Sequence, residues 1–349
     1  MHSVTIDAGV LAVPALQSAI EDAYCYVETL LDWKRLLDHP WISIYMSERA
    51  SEALISSTLF PLRNNLTSLF KNKNIVEYDV NTVASVADRL LQLTPSLEEK
   101  FQINDILMED LETEPALNSL TVSEDLISEL GRCLVIVSIM RDKCSNPVTN
   151  HTMVLKTGSD SGFIRLRSLI HMLDSQRDDL ADLSELPQTL EGIVPVCKDF
   201  RGLMQSIDEH GLWNLLEESE MKETVVRIAL YKSRIQRGLE PDWDKLPPFR
   251  FGHRFVNIAD EVCSIKISDL VPKLIRSIVE TLEQINLHAV HALRVNDSGG
   301  SPQRIRASDN AKAMRRDIDY EYHLHYWECN CGLIEFASMG PHNDFRIPE

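Results

Sequence analysis

The sequence predicts a three-part fold: an acidic α/β N-terminal domain over residues 1–165, a helical middle region over 166–264, and a small, basic α+β C-terminal module with antiparallel strands over 265–349. Three observations predict it. Short β-branched runs alternate with helical-period segments in the first part, the pattern of strands joined by crossover helices. Apolar residues then recur every three to four positions through the middle. Near the end, "YEYHLHYWEC" (320–329) alternates with period two, turns at "CNCG" and returns as "LIEFASM", which is a hairpin.

Taken in order, "SVTIDAGVL" reads as a short buried strand ending at Asp7, and Ile20 to Leu37 as an amphipathic helix. "WISIYM" is β-branched and aromatic, so a strand, and Ser47 is placed to N-cap the helix "ERASEALISS". "NIVEYDV" (74–80) reads as a further strand before the helix "NTVASVADRLLQL". Residues 101–130 hold eight acids and no lysine or arginine, and Ser123 then precedes the long helix "EDLISELGRCLVIVSIMRD". "TMVLKTGSD" reads as strand then turn. "FIRLRSLIHMLDSQRDDLADL" and "ETVVRIALYKSRIQRG" read as helices, with Gly238 as the stop of the second. The proline-rich "LEPDWDKLPPFRF" is a connector, and "DLVPKLIRSIVETLEQINLHAV" opens the last module as a helix.

A chain of 349 residues with net charge −18 is large enough for two or three cores. So acidic a surface excludes indiscriminate nucleic-acid binding and leaves room only for a local basic patch. The start lacks a basic leader, the longest apolar run, "CLVIVSIM", is too short to span a bilayer, and the seven cysteines are scattered. The reading is a cytoplasmic protein without a membrane segment. There is no Walker loop, dinucleotide fingerprint or nucleophile elbow, which argues against an ATPase, a nicotinamide-dependent oxidoreductase and an ordinary serine hydrolase.

Acids that follow parallel strands point into one crevice and are suited to hold Mg²⁺ or Mn²⁺ with water and phosphate. Asp7 is such an acid. Together with "SERASEAL", "SEDLISELG" and "VLKTGSDSGF", it gives residues 1–165 a pattern that resembles PIN-domain nucleases. The resemblance implies that Asp7, Glu52, Asp125 and Asp160 are metal ligands and catalytic carboxylates, with Asp105 and Asp110 as substitutes.

The end of the chain has a local excess of positive charge: Arg304, Arg306, Lys312, Arg315 and Arg316 face only Asp309. Arginines grip phosphate, aromatic rings stack on bases, and histidines such as His323 and His325 exchange protons near neutral pH. The helix "PKLIRSIVETLEQI", the "RRDI" segment, the "YHLHYW" strand and the terminal "GPHNDF" together resemble the RelE/ParE toxin fold. That resemblance implies phosphate binding by Arg315 or Arg316 and acid–base work by His342, without metal. Two weaker patterns are H-x-H-x₃-C-x-C from His323 to Cys331, a set of zinc-type ligands, and Arg165 to His171, whose spacing resembles HEPN ribonucleases on a helix.

The expected function is a metal-dependent nuclease or toxin-like protein acting on RNA, including ribosome-bound mRNA. The resemblances imply a toxin–antitoxin or phage-defence setting and an antitoxin partner. Two alternatives belong beside it: a non-catalytic acidic subunit that captures a basic protein, and a metal-free ribonuclease built from the C-terminal module.

Overall fold

The computed structural model describes residues 2–349 apart from 38, 40, 122, 146, 158–161, 181–184, 266–269 and 297–299. The chain divides into two compact units, Met1–Ile207 and Asp208–Glu349.

The first unit runs β1 (His2–Ile6), α1 (Ala8–Leu11), α2 (Ile20–Leu36), β2 (Ile42–Met46), α3 (Ala50–Ser56), α4 (Arg63–Lys73), α5 (Val80–Leu93), α6 (Leu97–Phe101), β3 (Ile103–Glu114), α7 (Glu124–Asp142), β4 (His151–Val154), β5 (Phe163–Ser175), β6 (Gln188–Cys197) and α8 (Phe200–Ser206). Its sheet has the order β2-β1-β4-β6-β5-β3. The first four strands are mutually parallel; β5 runs antiparallel to β6, and β3 antiparallel to β5. Ile6 pairs with both Met46 and Val154, so the carboxyl ends of β2, β1 and β4 lie level.

Helix α7 explains the core. From Leu130 to Met140 every residue is buried, because the segment is apolar all round rather than on one stripe. It lies close to β6 because Gly192 has no side chain: a Cβ there would stand 1.8 Å from Ser138 Oγ. Each leucine or isoleucine so enclosed contributes about 1.5–3 kcal/mol.

Three expectations fail in this unit. "NIVEYDV" is not a strand: Asn74 ends α4 in the left-handed region (φ 54°) and Asp79 caps α5 by accepting from Thr82 N at 2.8 Å. Capping at both ends outweighs its β-branched character. The N-cap of α3 is Arg49 rather than Ser47, whose Oγ accepts from Arg49 N at 3.1 Å in the turn just before the helix. The supposed helix from Phe163 is strand β5, with Ile164, Leu166, Ser168 and Ile170 buried and Arg165 and Arg167 exposed, and β6 follows it. Within 166–264 helices therefore begin only at α8 and are interrupted by a short strand at Phe249–Phe251, and Arg165 and His171 lose the helical geometry of the HEPN spacing.

Strand β3 forms one edge of the sheet and is bulged at three places. It carries Asp105, Glu109, Asp110, Glu112 and Glu114.

The second unit runs α9 (Glu209–Leu215), α10 (Ser219–Gln236), β7 (Phe249–Phe251), α11 (Phe255–Ile265), α12 (Leu270–Leu282), β8 (Val290–Ala292), β9 (Lys312–Asp317), β10 (Tyr322–Glu328) and β11 (Ile334–Pro341). Gly238 stops α10 with φ +74°, as its position implied. The five strands are ordered β7-β11-β10-β9-β8, antiparallel except for β7 beside β11. The alternation read in "YHLHYW" holds for side-chain direction, yet Tyr322 through Trp327 are all buried. Helices α11 and α12 pack on this sheet. The C-terminal segment also packs on it: Trp327 Nε1 donates to the Pro348 carbonyl at 2.7 Å, and Phe345 and Ile347 join the cluster around Trp327. No described helix is long and apolar enough to cross a membrane.

Candidate functional sites

In the first unit, Asp7 stands where the sequence placed it, immediately after β1. It is buried, and its Oδ2 accepts from Gly9 N at 3.0 Å to cap α1. Its Oδ1 has no hydrogen-bond partner among the described residues. Burial pushes its carboxyl up to about 7; the Gly9 amide opposes the rise and the Glu129 charge adds to it.

The structure surrounds it with residues that sequence reasoning missed. Ser47 lies between the carboxylates of Glu98 (2.9 Å) and Glu129, and Glu98 also accepts from Glu48 N at 3.0 Å. Arg132 bonds Glu98 and lies 3.4 Å from Glu129. Its Nε and second amino group are buried and unpartnered among the described residues. Glu98, Glu129 and Arg132 are each buried. Burial holds the Cys133 thiol well above its usual range, and the charges of Glu129, Glu98 and Asp7 add to that rise. Arg132 thus balances Glu98 and Glu129, and the cation whose charge acts on Asp7 is Lys156. A detectable signal was available: charges inside a helix that is apolar all round, such as Glu129 and Arg132, have to be buried.

The other expected ligands do not join Asp7. Glu52 and Asp125 are exposed on α3 and α7, and Asp160 lies outside the described residues. Of the substitutes, Asp105 pairs with Arg49 at 2.8 Å and Asp110 is exposed on β3. Among the described residues, no three histidine, cysteine or acidic side chains are placed to share a metal ion.

In the second unit the expected basic set separates into two groups. Arg306 is buried, forks onto Asp309 (2.9 and 2.7 Å) and reaches Glu335 at 2.9 Å, over the Trp327 ring. Arg316 is fully buried and bonds Glu280 (2.8 Å) and the Ile285 carbonyl (2.6 Å). Both are spent inside the fold, so the expectation that they grip nucleic acid does not suit where they lie. Arg304 is half-buried and donates to the Val295 carbonyl at 3.2 Å.

Arg315, His323, His325 and His342 do come together. In the strand register His291, Arg315 and His325 form one row across β8, β9 and β10, with Asp317 opposite His323 in the next. The His323 and His342 rings are 4.3 Å apart, and those of His323 and His325 6.3 Å. His323 Nε2 lies 2.9 Å from Asp317 Oδ1, and His291 Nε2 lies 3.8 Å from Asp317 Oδ2. The first contact is out of line for a hydrogen bond, and neither His323 ring nitrogen has a hydrogen-bond partner among the described residues. Burial lowers His323 to about 4, and the nearby Arg315 charge adds to that while Asp317 opposes it. His325 is also lowered to about 4, by burial first and then by His323. Both are neutral at pH 7. Arg315 is half-buried with its Nε unpartnered among the described residues, and its guanidinium lies 5.9 Å from the Phe345 ring. His342 is exposed. The arrangement offers a cation for phosphate, exposed imidazoles for proton transfer, and an aspartate that contacts two of the rings. Asp317 and His291 were missed as site residues because only strand register brings them here.

The chain matches no protein-family model, no curated protein and no solved structure.

Proposed function

We propose that the protein cleaves RNA by proton transfer on the sheet face of its second unit. The observation that supports this reading is the convergence of Arg315, Asp317, His291, His323 and His342 on one side of β8–β10 and the turn after β11. Arg315 holds the phosphate, as a planar fork suits. One exposed imidazole, His342, takes the proton of the ribose 2′-hydroxyl, whose oxygen attacks phosphorus. The bond to the 5′-oxygen breaks, and that oxygen leaves with a proton from the other exposed imidazole, His291. The products are a 2′,3′-cyclic phosphate and a 5′-hydroxyl end. Asp317 and neutral His323 position the two.

The test is cleavage of single-stranded RNA in EDTA, with and without ribosomes, by wild type, Arg315→Ala and His342→Ala. The expected result is cyclic-phosphate ends that persist in EDTA, with each variant slower by about 100-fold or more. Cleavage unaffected by both substitutions would sink this reading.

One observation favours a second reading, a divalent-metal nuclease in the first unit: Asp7 and Glu129 are buried acids whose charges act on one another, and Asp7 Oδ1 has no hydrogen-bond partner among the described residues. Mg²⁺ is held by as few as one or two carboxylates when substrate phosphate completes its shell. Asp7 and Glu129 would hold it, and the ion would polarise the scissile phosphate. Calorimetry with Mn²⁺ on wild type and Asp7→Asn tests it, and a heat of binding indifferent to Asp7 removes it.

A further inference from the structure

We propose that the crevice at the carboxyl ends of β1, β4 and β6 binds a phosphate monoester of mononucleotide size. The argument is independent of RNA cleavage in the second unit. It starts from strand order. The chain leaves β1 for β2 on one side, while β4 and β6 lie on the other, so the order reverses beside β1. In open parallel sheets that reversal parts the loops at the carboxyl ends and leaves a crevice where ligands bind.

A cavity of about 330 Å³ occupies this place. Val10 comes from the helix after β1, Lys156 from the turn after β4, and Lys198 and Asp199 from the turn after β6. Helix α2 contributes Asp22 and Tyr26. The volume is at the lower end for small-molecule sites and takes one nucleoside monophosphate.

Charge sets the class of ligand. Both acids are engaged by backbone amides: Asp22 Oδ2 accepts from Ala19 N at 3.0 Å, and Asp199 Oδ1 from Gly202 N at 2.7 Å. The charges of Asp22 and Asp7 act on Lys156, but neither lysine is hydrogen-bonded to a carboxylate among the described residues. Lys156 Nζ donates to the Ala12 carbonyl at 3.1 Å, and neither lysine forms an ion pair with a carboxylate among the described residues. Two ammonium groups at the mouth suit a dianion. The wall of Val10, Pro14 and Tyr26, whose hydroxyl is turned away onto the Leu11 carbonyl at 3.1 Å, suits an apolar or aromatic body.

The test is calorimetry on the full chain with inorganic phosphate, adenosine monophosphate and adenosine as probes. The expected result is saturable binding of the monophosphate, weaker binding of phosphate, and none of adenosine. Lys198→Met and Lys156→Gln should each weaken the monophosphate by roughly tenfold. Lys198 is exposed, so its variant should unfold at the wild-type temperature. No binding of either phosphate, or binding unchanged in both variants, overturns the site. Phosphate binding as tightly as the monophosphate overturns its mononucleotide size.

Discussion

Replacing Asp7 by asparagine should stabilise the first unit, and only above acidic pH. The carboxyl rises from an ordinary 3.8 to about 7 because it is buried, so folding lifts its proton affinity by about three units. At 1.36 kcal/mol per unit, the ionised side chain costs the folded state up to about 4 kcal/mol. The sign follows from the two pKa values. Below about 3.8 both folded and unfolded chains hold the proton, and Asp7 imposes no cost. Between there and about 7 the unfolded chain releases it first, and wild type loses stability as pH rises. Above about 7 the cost is complete. Asparagine has no charge to bury and keeps an oxygen to accept from Gly9 N. For a unit spanning Met1–Ile207, about 4 kcal/mol corresponds to a rise in Tm of roughly 10 °C at most. Thermal unfolding of both proteins by circular dichroism, in EDTA at about pH 3.5, 6 and 8, measures this. A gain that grows with pH and vanishes in acid is expected. An asparagine variant no more stable than wild type at pH 8, or equally favoured at every pH, would refute the account of Asp7 as a buried, proton-holding carboxyl.

In the second unit, His325→Gln should flatten acid unfolding. The buried imidazole titrates near 4 rather than 6.5, so the unfolded chain takes up a proton first and stability falls as pH drops through that window, which urea titrations across it would record. Glu335→Ala should cost about 3–5 kcal/mol, read as a lower urea midpoint, because Arg250 and Arg306 both close on that carboxylate and Arg306 is buried. Gly192→Ala should lower Tm by an amount equal to about 1–3 kcal/mol, since its Cβ would press into Ser138 and α7 must shift away from β6. Charge reversal across residues 105–114 tests the alternative of an acidic capture surface: loss of a basic partner with RNA cleavage intact would favour that role, and intact capture would remove it.

Much of the first unit was legible because short strands and capped helices write their own signals: β1 with Asp7 after it, β2, α5 and α7; in the second unit α10 with Gly238 behind it was legible too. β5 was not. Leu166 and Ile170 fit a helical stripe as well as a strand face, and pairing with β3 and β6 decided between them. The acid cluster was illegible for a related reason. Glu98 and Glu129 meet at Ser47 only through the fold; the apolar run after Glu129 marks it as buried, while nothing in sequence names Glu98 or Ser47 as its partners. In the second unit the alternation of "YHLHYW" revealed which histidines share a face, while the identity of the groups opposite them, Asp317 and Arg315, waited on register. Arg306 and Arg316 show the limit of counting charge: a basic run in sequence says nothing about how much of it the fold neutralises internally.

The acidic edge of the first sheet has a consequence for how the protein behaves in bulk. β3 is a long strand with one flank unpaired by the rest of its sheet, the kind of surface along which sheets of different molecules zip together. Its five acids and three bulges make that growth unfavourable, since a second copy would bring like charges into opposition on a strand that does not lie flat. Arg49, His171 and Arg165 pair with Asp105, Glu109 and Glu114, and Asp110 and Glu112 form no ion pair among the described residues and are left to repel. Part of the net charge therefore acts as a colloidal safeguard, and concentrated solutions should lose it first in acid or high salt, where the edge becomes adhesive.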